Sequence, residues 1–86
     1  MNEIVDEILI RLNNDPTNEV NFSNLKKQIE QKLEISIDEN TEKSVLDLLL
    51  LHDLCEKSFP IATFVLKLTN KGRIAATKGI EKYLQE

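Results

Sequence analysis

The residues that could do chemistry are few. His52 and Cys55 stand three apart in a leucine-rich run, which on a helix places both on one face and could offer two soft metal ligands. A structural zinc site takes four ligands and a catalytic one three. The chain has no other His or Cys, so the pair reads as ordinary packing or solvent-edge positions. Ser23 has no base at a suggestive spacing, and no second His is present to orient one. Gly72 and Gly79 are the only glycines, too few for a phosphate-cradling loop. No residue is therefore assigned a catalytic, cofactor-binding or metal-binding role, and a non-enzymatic chain without cofactor or small-molecule substrate is expected. Cations are the remaining chemistry. Lys26 and Lys27, and later Lys67, Lys71, Arg73 and Lys78, could grip phosphates or face water as a solvated surface. Phe22 and Phe64 alternate with polar residues in strand-like runs, so they read as core and not as platforms for stacked bases.

The charge is polarised along the chain. Residues 1–20 set Glu3, Asp6, Glu7, Asp15 and Glu19 against Arg11 alone. Residues 36–58 set six acids against Lys43 and Lys57. Residues 59–86 reverse the sign, with Lys67, Lys71, Arg73, Lys78 and Lys82 against Glu81 and Glu86. The overall formal charge is −4, so basic character is confined to the C-terminal end and, weakly, to residues 21–35. The single Cys55 excludes an intrachain disulfide and fits a reducing compartment. Met1-Asn2-Glu3 lacks the basic start of a signal peptide, and no apolar run approaches the ~20 residues of a membrane span. A cytoplasmic location without membrane contact is expected.

These residues must be positioned by a small domain. Eighty-six residues make one domain, 1–86, and folding at that size hides only ~60–65% of the surface the open chain exposes. With no Trp, one Tyr and three Phe, its core must be Leu, Ile and Val. Residues 2–13 predict a helix, because Ile4, Ile8 and Leu12 recur at i, i+4, i+8 with Val5 and Leu9 beside them. Asn13-Asn14-Asp15-Pro16 ends it. Val20 and Phe22 suit a very short strand. Ser23 is the expected cap of a second helix with a Leu25, Ile29, Leu33 stripe, and Lys26, Lys27, Glu30 and Glu34 off it.

Asp38 is the expected cap of a third helix reaching about Glu56. This helix carries apolar side chains in every quadrant, from Val45 to Cys55, so it is expected to be buried all round or to meet another chain. Cys55–Ser58 and the alternating run 61–68 predict a hairpin around Phe59-Pro60, with Ala62, Phe64, Leu66 and Leu68 toward the helices. Thr69 should cap a last helix that Gly79 interrupts, and Ile80, Tyr83 and Leu84 form an apolar patch beyond it.

The order helix, short strand, helix, helix, hairpin, helix resembles the winged helix-turn-helix domains of small bacterial regulators. The piece that carries the likeness is Leu66-Lys67-Leu68-Thr69-Asn70-Lys71-Gly72-Arg73, which looks like the strand leaving the wing, then L-T-x-x-G and a terminal helix. The resemblance implies an α+β, mostly helical fold of three helices, a short β-hairpin wing and a C-terminal helix. It also implies that the helix starting at Asp38 is the recognition helix, which would place Asn40, Thr41 and Lys43 toward DNA. On that likeness the chain is a DNA-associated transcriptional regulator or accessory factor.

The residues themselves support a second reading. The same helix presents Asp38, Glu39, Glu42 and Asp47 around Lys43, and carboxylates repel phosphates. A winged-helix protein-interaction or homodimerising module fits that charge. The expected partner is then a second copy, joined through the first or last helix, with Leu51, Leu54, Ile80, Tyr83 and Leu84 as candidate interface residues, or another protein.

Overall fold

The computed structural model describes residues 2–58 and 64–85. The first helix, α1 (Asn2–Asn14), buries Ile4, Val5, Ile8, Leu9 and Leu12, the expected stripe. Its end is built from side chains. Asn18 sits in the left-handed region at φ 58°, and its Nδ2 donates to the Leu12 carbonyl at 2.9 Å and the Asp15 carbonyl at 3.1 Å. Asp15 Oδ1 accepts from the Thr17 amide at 2.9 Å, a side-chain turn of the kind Asp favours. The chain then enters β1 (Glu19–Asn21).

The second helix, α2, spans Phe22–Leu33 and begins one residue before the expected cap. Asn21, and not Ser23, is the N-cap: its side chain accepts from the amides of Ser23 at 2.9 Å and Asn24 at 3.3 Å. Asn is as good a cap as Ser. Capping at Asn21 puts Phe22 into the core as the first helical residue and not as a strand residue. Glu30, off the apolar stripe as expected, accepts the Ile37 amide at 2.8 Å and so ties down the turn after α2.

The third helix, α3 (Glu39–Leu51), starts at Asp38 as expected; the Asp38 carboxylate accepts from the Thr41 amide at 2.7 Å. It stops five residues before the expected Glu56. Asp53 adopts φ 58°, the Leu54 amide donates back to the Leu49 carbonyl at 2.9 Å, and the Asp53 amide to the Leu50 carbonyl at 3.1 Å. That pair of bonds is a Schellman ending, with its usual apolar contact between the residue after the left-handed one and the last turn. Leu54 and Leu49 are both fully buried. The reversal also separates His52, which caps the helix in solvent, from Cys55, which is buried in the next strand, so the two do not share a helical face.

Strands β2 (Cys55–Ser58) and β3 (Val65–Leu68) pair antiparallel, and β3 also pairs with β1, so the sheet order is β1-β3-β2. The turn expected at Phe59-Pro60, and Ala62, lie outside the described residues. Leu66 and Leu68 face the helices and Phe64 is half-buried against the core, while Lys67 points out. Thr69 caps α4 (Asn70–Lys78), its Oγ1 accepting from the Gly72 amide at 3.0 Å. Gly79, at φ 90° and ψ 144°, breaks the helix, and α5 (Ile80–Gln85) follows. The molecule is thus a small α+β domain with five helices and one three-stranded antiparallel sheet among its described residues. Among those residues no helix is long and apolar enough to cross a membrane.

Candidate interaction surfaces

The stretch Leu68 to Gly72, at the end of the hairpin, is structural. Thr69 makes a clamp across the end of α3: its Oγ1 lies 2.7 Å from the Asp53 carbonyl oxygen and 2.9 Å from that of Leu54, and its amide donates to the Leu54 carbonyl at 3.1 Å. Gly72 then presses its bare Cα on the same carbonyl, where a Cβ would overlap the Leu54 oxygen and crowd Leu68 Cδ1. The L-T-x-x-G stretch therefore joins the left-handed turn after α3 to the first turn of α4.

The candidate phosphate-gripping residues fall on three different helices and one strand. Lys26 and Lys27 are on α2, Asn40, Thr41 and Lys43 on α3, Lys67 on β3, and Lys71, Arg73 and Lys78 on α4. Several are engaged within the molecule. Lys26 Nζ is 3.1 Å from Glu42 Oε1, a bridge from α2 to α3. Lys71 Nζ lies 4.0 Å from Asp53 Oδ2, and Arg73 Nη2 donates to Asn18 Oδ1. Lys78 shares a shallow depression with Asp6, Glu81 and Lys82. Lys67 sits in the sheet with Glu19 as its neighbour on β1 and Glu56 on β2, a carboxylate, cation, carboxylate row across the outer face. A second depression holds Lys67 and Lys71 together with Asp53 and Glu56. Lys57 lies over the Phe64 ring, 4.3 Å from its centre, and Phe64 stacks on Phe22 at 4.9 Å. Phe22 is buried, which fits the expected core role.

The outward stripe of α3 is the surface that the winged-helix likeness would direct at DNA. Asn40, Lys43, Ser44, Asp47 and Leu51 recur at i, i+3, i+4, i+7 and i+11, and all are exposed. Thr41 and Glu42 flank it half-buried. Asp38 is held below the usual carboxylate range, first by the Thr41 amide hydrogen bond, so a negative charge persists at the start of this helix. The stripe thus carries Lys43 and Asp47 in its middle and ends in Leu51, which is 82% exposed, beside Leu50 at 38%.

Two of the five candidate interface residues belong to the molecule's own core. Leu54 and Ile80 are fully buried, Leu54 through the Schellman turn and Ile80 because the Gly79 break turns it inward. They are not available to a second chain in this fold. Tyr83 is half-buried against the core, and Leu84 and Leu51 remain exposed. Ile10, Ile35, Leu50 and Ile74 are exposed apolar residues that sequence reasoning did not single out. Ile10 was readable, since it lies off the Ile4, Ile8, Leu12 stripe. Cys55 is no reactive group: burial pushes its thiol up to about 12.

No protein-family model, no curated protein and no solved structure matches this chain.

Proposed function

We propose that this chain is a non-enzymatic winged-helix-type module that works through protein contact, with a second copy of itself as the partner. The winged-helix part of the reading is supported by topology. The segment from α2 through the turn to α3 lies between β1 and β2, and the hairpin returns β3 between them. The observation that carries the contact reading is Leu51. A leucine 82% exposed at the end of the outward stripe of α3, with Leu50 next to it, is apolar surface of the kind that a protein contact covers. The acidic surroundings of Lys43 and Lys67 point the same way. Symmetric pairing is the commonest means of covering such surface.

The element order favours the DNA-associated reading as the alternative. One set of measurements separates the two. Thermal unfolding of the wild-type chain over a hundredfold range of concentration should give a midpoint that rises with concentration, because association stabilises the folded state by mass action. Leu51→Glu should flatten that dependence and give a monomeric mass by light scattering. A fixed midpoint with a monomeric wild-type mass overturns the self-association reading. A duplex mobility shift that fades steeply with salt, and that the triple change Lys71→Ala, Arg73→Ala, Lys78→Ala abolishes, would favour the DNA-associated one.

A further inference from the structure

The end of the described chain is held differently from the rest. Helix α5 has six residues, too few to persist alone in water. Its first turn has no cap of its own, since the residue before it is Gly79. The missing acceptor comes from the opposite end of the sequence: Asp6 Oδ1 on α1 accepts the Ile80 amide at 2.7 Å. Ile80 is fully buried and Tyr83 half-buried, while Glu81, Lys82, Leu84 and Gln85 are exposed. At the join, Gly79 holds φ 90° and ψ 144°, a conformation open to glycine and strained for any other residue. A Cβ there would meet nothing within 4 Å, so the space around the join is open.

We propose that α5 is a strap that docks on α1 and undocks about Gly79 as a unit, while α1–α4 and the sheet stay folded. Among the described residues, one buried side chain, one half-buried ring and one borrowed cap hold it. Each lies at α5 itself and none is shared with the sheet ladders. Undocking uncovers the part of α1 around Asp6, with the apolar residues beside it, and frees Tyr83. The fold thereby contains an element of low local stability next to a covered apolar surface, the usual property of segments that move.

Hydrogen exchange on the full chain tests this. The Tyr83 amide, which donates to the Gly79 carbonyl at 3.0 Å, reports the strap, and the Leu54 amide, which donates to the Leu49 carbonyl at 2.9 Å, reports the body. In the wild type Tyr83 should exchange faster than Leu54. Asp6→Ala should speed the Tyr83 amide roughly tenfold, as the loss of one capping hydrogen bond does, and leave Leu54 unchanged. Gly79→Ala, which adds only backbone strain, should produce the same pattern. Acceleration of the Ile80 amide alone would mean that Asp6 caps without holding the strap. Equal acceleration of Tyr83 and Leu54 would mean that α5 opens only when the whole domain does. Either result overturns the proposal.

Discussion

At the scale of single residues the best-defined charge is Glu7. Its carboxylate takes Lys32 Nζ at 2.8 Å and Arg11 Nε at 3.2 Å, and it is mostly shielded from water. The Lys32 hydrogen bond, with help from both cations, holds its carboxyl below the ordinary 4.5 despite the opposing effect of burial. A carboxyl lowered in the folded state stabilises that state while both states are ionised. As the pH falls through 4.5 the unfolded chain takes up its proton first, and the contribution shrinks. It is gone once the pH passes below the folded value. Glu7→Gln should therefore cost about 1 kcal/mol at neutral pH, and wild type and variant should converge in acid. Urea unfolding at a series of pH values checks this; a gap that stays constant into acid would mean that packing, and not charge, is lost. Glu7 was visible in the sequence only as one of the acids that make residues 1–20 negative. Its two partners come from α1 itself and, across the fold, from α2, and only the second is beyond a local reading.

Among the elements, the junction of α3, β2 and α4 decides most. Replacing a helical glycine by alanine normally stabilises by up to about 1 kcal/mol through propensity. At Gly72 the sign should reverse. The new methyl would overlap the Leu54 carbonyl oxygen, a backbone atom pinned by Thr69, and crowd Leu68. Overpacking costs about 1–3 kcal/mol, and a rigid neighbour places Gly72→Ala toward the upper end. A clear fall in melting temperature is expected, and an unchanged or higher one would show that the junction can give. The same junction shows what a sequence reveals and what it hides. Thr69, Asp38 and Gly79 were legible because a cap or a break is signalled by the residue that makes it. The end of α3 was not. Its left-handed residue is Asp53 where glycine is usual, and the leucine after it extends an apolar helical run as well as it fills a core. Asn21 and Ser23 are equally good caps two residues apart, so the choice between them rests on where Phe22 must go. The burial of Leu54 and Ile80, and with it the correction to the candidate interface, follows from the turn at Asp53, which the sequence hid, and from the direction the chain takes after Gly79, where the sequence signalled only a break.

For the whole molecule, the decisive feature is that the middle strand of the sheet is β3. Both neighbours, β1 and β2, come before it in the chain, and each finds its only described strand partner in it. A chain cut before Val65 keeps α1, α2 and α3 but loses Leu66, Leu68, Ala75 and Ile80 from the core together with both ladders. It should show no cooperative thermal transition by circular dichroism, and a sharp transition would mean that the three helices form a core alone. The same arrangement has a consequence in time. On the ribosome the chain emerges from its N-terminus at roughly 5–20 residues per second. Until Leu68 follows, β1, β2 and the leucines of α3 lack the central strand that covers them. Before that strand arrives the unpaired edges are open to pairing with other chains, and it is the addition of one four-residue strand that closes them.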